Sequence, residues 1–433
     1  MTKTAPRSLP QSAWSLAGVV LMACLGRYAA GQESPPALIM PQPPQPTFFY
    51  KRLDHRSEQE LREQLLKVRE LDIKADAPEQ HANLDGELRA VQAFRKAGVN
   101  PTPKAAEDPS DTLTKFHQEA CEALGLSDPA GGRRLGREDA KNLVDWSARL
   151  RRAGLVSMPD LKGGMVTPNW KTVSREQLQG REKLDTATGL AAFAQMLPTE
   201  DARGRQLLIA LLKENDTAAA TVVLARQAIF DPAPENRRLA LAALTARPAA
   251  QYRAVFLEAL RHPWLPAAQH AAESLAALQD DAAVPALKVM LAEPDPAAPV
   301  VTPEAKTPQI RELVRINHLR NCLLCHAASV QRTDPLRAPV PTPGTALTPA
   351  YYAERSIDGA AVRADVTYVR QEFSVLLPVA DAKPWPEHQR FDFVIRRREA
   401  TKDELAALDK AAPAQPSWPQ REAILFALGE LKH

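Results

Sequence analysis

Between about Arg181 and Pro294 the apolar positions recur three times in one arrangement. Leu224, Ala225, Ala228 and Ile229 form one stripe. Val255, Phe256, Ala259 and Leu260 form the next, and Ala286, Leu287, Met290 and Leu291 the third. Each stripe is followed by a proline, at Pro232, Pro263 and Pro294, which sets a period of 31 residues. Apolar residues at i, i+1, i+4 and i+5 cover one face of a helix. The proline stops that helix, because it has no N–H and crowds the preceding turn. A second helix is expected after the first two prolines, where Ala240 and Leu244 match Ala271 and Leu275. Thr186–Leu212 reads as an earlier, less regular unit. Helix pairs that hide their stripes against their neighbours predict a mainly α fold, an α-solenoid over 181–293. Met196 and Met290 lie on the stripes and read as core. His270 takes the position of Leu239 one unit earlier, which predicts packing against the next unit rather than chemistry.

Before the repeats, residues 57–180 read as an N-terminal helical region. Ser57–Glu60 is a capping box, and Leu61, Leu65 and Val68 supply the stripe behind it. Further helices are predicted at about Gly86–Ala97, Leu113–Leu124 and Glu138–Ala153, the last with Leu143, Trp146 and Leu150 on one face. His117 and Cys121 are four apart on one helix, a spacing that could share a metal but that more simply pairs a surface histidine with a buried thiol.

After Pro294 the pattern changes. Residues 294–308 are proline-rich and read as a linker. Within 309–400, Ile310–Arg320 is expected to be a helix, with Leu313, Ile316 and Leu319 on one side. Ala364–Val369 and Phe373–Val379 then read as two strands joined by a tight turn. Gln389–Arg396 alternates, with Phe391, Phe393 and Ile395 on one face. Residues 401–433 close the chain with two helices, opened by Thr401–Glu404 and Ser417–Gln420. The stripe Ile424, Leu425, Leu428 and Leu431 suits the last helix to cover the end of the array.

Composition changes the picture mainly at the start. Residues 1–31 read as an export signal: Lys3 and Arg7, then the short apolar run Trp14–Gly26, then small residues at Ala29-Ala30-Gly31. The run is too short to span a bilayer. Leu21-Met22-Ala23-Cys24 also resembles a lipoprotein box, which would leave Cys24 lipidated as a membrane anchor. Residues 32–56 form a proline-rich tether. Removal of the signal leaves equal numbers of basic and acidic residues. A neutral chain gives no electrostatic case for nucleic acid or anionic lipid as partner. No serine triad, phosphate loop or metallohydrolase motif occurs, so nothing points to a hydrolase or kinase.

The candidate chemistry lies in Asn321-Cys322-Leu323-Leu324-Cys325-His326. Two cysteines with two residues between them and histidine next is the attachment signature of a c-type haem. The thiols of Cys322 and Cys325 would take the two vinyl groups of one porphyrin, and His326 would stand below the iron as proximal ligand. The other readings are a disulfide or redox pair, or part of a zinc site. Zinc wants four closed ligands, and Cys121 is the one further thiol left once the signal is removed.

Helical repeats followed by a single CxxCH, at Cys322, Cys325 and His326 here, resemble a group of bacterial exported HEAT-repeat proteins that carry a c-type haem. The 31-residue period is shorter than usual for HEAT repeats. With the strands read above, the expected fold is mainly α, a HEAT-like α-solenoid with a C-terminal haem-binding segment containing a small antiparallel β-sheet. The resemblance also implies covalent haem c, electron transfer and a periplasmic or otherwise exported location.

The sequence departs from small cytochromes c in having no methionine after Met290 to serve as sixth iron ligand. His388 is the leading downstream histidine for that position, with Tyr351, Tyr352 and Tyr368 as lesser options and a five-coordinate iron as the alternative. His318 stands eight residues before His326, about 12 Å along a continuous helix, which would put it on the proximal side. Arg363, Arg370 and Arg390 could pair with haem propionates or form a solvated sheet edge. The expected function is an exported mono-haem electron carrier, not an enzyme, with the solenoid docking a redox partner protein. A haem-based sensor and a solenoid scaffold for protein–protein interaction are the other readings.

Overall fold

The computed structural model describes residues 56–71, 125–126, 133–155, 168–180, 185–196, 200–301, 307–326, 334–341, 361–367, 369–410 and 418–431, with a few isolated positions between them. The signal and tether, the helices expected at Gly86–Ala97 and Leu113–Leu124, the His117/Cys121 pair, and Tyr351, Tyr352 and Tyr368 lie outside these residues.

The fold is mainly helical, with a few small antiparallel sheets. Helix α1 (Glu58–Leu66) starts at the expected capping box, in which Ser57 and Glu60 satisfy each other's backbone N–H. After β1 (Arg133–Arg134), α2 (Arg137–Arg152) buries Leu143, Trp146 and Leu150 as its periodicity requires. A short ribbon of β2 (Met158–Pro159) and β3 (Met165–Val166) and the one-turn helix α3 (Arg175–Leu178) lead into the array.

That array runs α4 (Ala187–Met196), α5 (Ala202–Glu214), α6 (Ala218–Phe230), α7 (Pro234–Leu244), α8 (Ala249–Ala259), α9 (Leu265–Ala277) and α10 (Val284–Met290). Each start has a local cause. Asp201 and Thr217 cap α5 and α6, each accepting from one backbone N–H of the first turn, Gly204 and Ala220, that would otherwise stay open. Pro234 and Pro266 occupy first-turn positions, where a missing N–H costs nothing. Leu224, Ala225, Ala228, Ile229, Phe256, Ala259, Leu260, Leu287 and Met290 are buried, as are Ala240, Leu244, Ala271 and Leu275 in the second helices. His270 is buried and bonds through Nδ1 to the Ile229 carbonyl, 2.6 Å away in the preceding unit.

The third unit lacks its second helix, as its sequence indicates. The chain instead enters the β segment, and α13 (Pro419–Glu430), which follows α12 (Lys402–Lys410), packs against α9 and α10 in the open place. Trp418, not Ser417, is the N-cap of α13, and Pro419 follows it in the first turn.

The stretch expected to be a helix from Ile310 to Arg320 is a strand. It is β4 (Gln309–Asn317), the edge of a three-stranded antiparallel sheet ordered β4–β9–β8 with β8 (Gln371–Pro378) and β9 (His388–Glu399). Its residues Gln-Ile-Arg-Glu-Leu-Val-Arg-Ile-Asn fit either period. The β-branched Ile310, Val314 and Ile316 suit a pleated surface, and nine-residue pairing with β9 decides the matter. The expected hairpin partner of β8 is also corrected: β8 pairs with β9, while β7 (Val366–Thr367) pairs with β1 and β6 (Ala361–Arg363) with β5 (Arg337–Pro339).

The sheet is buried on both faces. Phe373, Val375, Leu377, Phe391 and Phe393 join the core of the helical array. Phe373 stacks on Phe393 at 4.7 Å, on Phe230 of α6 at 4.9 Å and against Trp264 at 5.1 Å. On the reverse face Val314, Ile316 and Val394 pack with Leu71, Leu126, Leu324, Cys325, Val366 and Val369. The sheet thereby stands between the later helices of the array and the Cys322–His326 segment, while α4 reaches the side of that segment. Ion pairs add to the joint: Arg226 of α6 meets Glu372, and Arg370 meets Glu258 of α8 at 2.6 Å.

Phe373→Ala should destabilise the chain by about 3–5 kcal/mol, the cost of a large aromatic cavity, read as a fall in the denaturation midpoint. His262 gives a second test. It is 4% exposed beside Phe230, and burial together with the charges of Arg226 and Arg311 depresses its pKa to about 3. Below about pH 6.5 the unfolded chain takes up a proton that the folded chain refuses, so stability falls with pH from there toward the native value, by at most about 1.4 kcal/mol per unit for this group. Urea titrations at neutral pH and at pH 5 should show a smaller loss in His262→Gln than in the wild-type chain.

Candidate haem and histidine site

The motif begins where β4 ends. Asn317 is 1% exposed, and its side-chain oxygen accepts from the backbone N–H of Leu319 at 3.0 Å while its amide donates to Gln389 at 2.8 Å. This turns the chain sharply off the sheet into a single helical turn, α11 (Cys322–Cys325). His326 closes the turn by donating its backbone N–H to the Cys322 carbonyl at 2.9 Å.

Both cysteines are free thiols in this structure. Among the described residues there is no group of three or more His, Cys, Asp or Glu side chains placed to hold a metal ion. The Cys322 thiol donates to the His318 carbonyl at 3.3 Å. Burial and the nearby Asp392 charge push its pKa up to about 12, so it is not a thiolate nucleophile at neutral pH. Cys325 is 2% exposed and packs in the apolar cluster behind the sheet.

His326 is anchored. Its Nδ1 lies 2.8 Å from the Val366 carbonyl, which calls for the proton on that nitrogen and leaves Nε2 as the lone-pair donor. Burial, and then the neighbouring His318, lowers its pKa to about 4, so the imidazole is neutral and fit to bind metal at physiological pH.

His318 is anchored more strongly. Its Nδ1 lies 2.8 Å from Oδ2 of Asp392, a carboxylate with no exposed surface. The same carboxylate accepts from Arg390 at 2.7 Å, Ser374 at 2.6 Å and Gln371 at 3.0 Å. Burial alone would raise the Asp392 pKa; Arg390, His318 and the Ser374 hydroxyl overcome that and hold it well below the usual carboxylate range. The His318 and His326 rings stand 6.2 Å apart, centre to centre, at 88°.

Both histidines and Cys322 border a cavity of about 100 Å³. Gln195 and Met196 of α4 and Leu143 of α2 form its far side. A groove of about 470 Å³ adjoins it, and Arg133, Gln195, Thr367 and Gln371 border both spaces. Arg133 bonds to Gln195, and the Gln195 carbonyl accepts from Arg390 at 2.8 Å. The positive charge here is in excess. Burial and the charge of Arg390 bring the Arg133 pKa down to about 10, with Asp392 only partly compensating.

The small cavity alone does not hold a porphyrin, since sites for sizeable ligands run to about 300–1,000 Å³. The groove of about 470 Å³ adjoins it across Arg133, Gln195, Thr367 and Gln371, and neither histidine borders that groove. The donor set fits the group: an anchored neutral imidazole, a thiol beside it, and Arg133, whose charge Asp392 only partly offsets. Cys325 fits only after its sulfur turns out of the apolar cluster.

The predicted site residues thus separate. Cys322 and His326 come together on the cavity, and Cys325 lies one position behind it. His388 does not reach it. As the exposed first residue of β9 it lies opposite Pro378, beyond the last β4–β9 pair, Asn317 with Phe391. His318 is brought beside His326 because a strand and a turn, not a helix, precede the motif. Met196, read as core, is a partly buried residue of the cavity wall, whereas Met290 is core. Arg363 pairs with Asp365 and Arg370 with Glu258, while Arg390 is buried at the cavity rather than on a solvated edge. Asp392, Arg133 and Gln371 carry no motif that sequence reading could have singled out.

No family model, curated protein or solved structure matches this chain.

Asp392→Asn should cost about 3–5 kcal/mol, because it leaves Arg390 and Arg133 buried without a counter-charge. Equilibrium denaturation at neutral pH measures it. The stability that the carboxylate contributes is complete above about pH 4, the unfolded value, and is lost as pH falls through its lowered native pKa.

Proposed function

We propose that this chain carries one covalently attached haem c and serves as an exported electron-transfer protein, with its helical array, a HEAT-like solenoid in this reading, as the surface that docks a redox partner. The observation that carries the reading is the seating of His326. It follows the CxxC pair directly, hands its Nδ1 to a backbone carbonyl and keeps Nε2 for a metal. A backbone or carboxylate partner on the second nitrogen is what orients a metal-binding histidine and raises its basicity.

Haem attachment needs no oxidant. Each thiol would add across one vinyl double bond, sulfur to one carbon and the thiol hydrogen to the other, with no net gain or loss of electrons. The protonated state of Cys322 suits that addition. Arg133, whose charge Asp392 only partly offsets, would face a propionate, with Arg390 beside it already paired to Asp392. Haem supplies the one-electron chemistry when bound. The chain's part is to fix the axial imidazole, exclude water by the apolar walls of α2 and α4, and hold Asp392 ionised nearby.

Partner docking through the array is supported by its form: helix pairs in series beside the site, with the groove of about 470 Å³ between α6 and β8 opening from it. Among the described residues no helix is long and apolar enough to cross a membrane. Export remains an inference from residues 1–31, with Cys24 lipidation as its variant form.

Protein produced with the cytochrome-maturation apparatus should gain the mass of one haem and keep its colour through acid–acetone extraction. The Cys322→Ser, Cys325→Ser double variant should lose that colour on extraction. A wild-type chain whose mass is that of its amino acids alone overturns the reading.

A further inference from the structure

We infer that His318 is the second axial ligand of the iron, trans to His326, so that the haem is a six-coordinate, bis-histidine centre. The inference rests on the haem reading above and goes beyond it by naming the residue on the far side of the ring.

Three observations carry it. The first is distance. Two imidazoles bound trans through Nε2 place their ring centres about 6.2 Å apart, twice the span of a metal–nitrogen bond of ~2.0 Å plus ~1.1 Å from nitrogen to ring centre. The His318 and His326 centres are 6.2 Å apart. The second is the hydrogen bonding. Each ring commits Nδ1, His318 to Asp392 and His326 to Val366, and neither Nε2 has a hydrogen-bond partner among the described residues. The third is the surroundings. Both rings and Cys322 border one cavity, whose other walls are largely apolar.

The two anchors differ in kind. A neutral carbonyl holds His326, and a buried carboxylate holds His318. The carboxylate makes the His318 imidazole the more electron-donating of the two, which favours ferric iron and a low reduction potential. Arg390 shares that carboxylate at 2.7 Å and moderates the effect. Asp392 is therefore a positioning residue, acting on the iron through His318.

The rival donors are placed less well. His388 is exposed and off the cavity. Met196 borders the cavity from α4 but belongs to the helical array, so its sulfur would have to be delivered across the joint between array and sheet.

The test uses full-length protein carrying its covalent haem. The wild-type ferrous form should be low-spin and should not bind carbon monoxide. Its ferric electron paramagnetic resonance should show the highly anisotropic low-spin signal of perpendicular imidazole planes. His318→Gly should keep the haem mass, become high-spin and bind carbon monoxide, and added imidazole should restore the low-spin spectrum. Met196→Leu should leave the spectrum unchanged. Asp392→Asn should remain low-spin with a raised reduction potential. A high-spin wild-type iron, a low-spin spectrum that survives His318→Gly, or its loss in Met196→Leu overturns the assignment while leaving the haem reading intact. Absence of haem mass in the wild-type chain overturns the haem reading first. If His318→Gly does not fold, His318→Met decides: a changed ligand-field spectrum supports the assignment, and an unchanged one overturns it.

Discussion

One buried carboxylate sets the terms for the rest of the molecule. Asp392 has no exposed surface, and a bare charge there would cost several kcal/mol. It is tolerated because His318, Arg390, Ser374 and Gln371 all point donors at it. Those four come from the turn after β4, from β9 and from β8. Satisfying one charge therefore fixes the register of three strands and the direction in which the chain leaves the sheet toward Cys322. Arg390 extends the constraint to α4 through the Gln195 carbonyl.

Alternation along β9 links that polar centre to the apolar one. Phe391 and Phe393 flank Asp392 in sequence and so face the other way, into the core of the helical array. Phe373 stands opposite Phe393 and carries the stack on to Phe230 and Trp264. A slip of one residue in the β8–β9 pairing would put the carboxylate into the aromatic stack and the phenylalanines against His318. Two unrelated penalties thus protect a single register, and that register places the two imidazoles.

What the sequence could show follows the range of the interactions concerned. The helical stripes were legible because each is a local, 3.6-residue signal that the pairs of the array simply repeat. Leu224 to Ile229 and Ala271 to Leu275 are buried where periodicity puts them. The spacing of Cys322, Cys325 and His326 stood out because it is local, and the structure brings Cys322 and His326 to one cavity. The strand at Gln309–Asn317 was not, since its apolar spacing also fits a helix and only pairing with β9, some eighty residues on, settles it. The place of His318 follows from that difference: a helix would have carried it away from His326, whereas a strand end and a turn bring it alongside. Asp392 was hidden for the same reason. A lone acidic residue in an alternating strand ordinarily faces water, and its four donors are gathered by tertiary structure alone.

The C-terminal helix gives the architecture a further property. Helix α10 and the helix that completes its unit, α13, are separated in the chain by the whole β segment, yet they lie in contact. The sheet and its motif are therefore an insertion inside one helical unit, with both stems clamped at the end of the array. Such a closure must gather more than a hundred residues before the terminal helix can dock, which makes it a late, high-contact-order event in folding. The array can form progressively from its first units, while the last unit is completed only when the inserted segment has folded back on it. Seating of the terminal helix then acts as a completeness check: a chain whose β insert has failed to organise exposes the apolar edge of α9 and α10, and a chain whose insert is finished covers it.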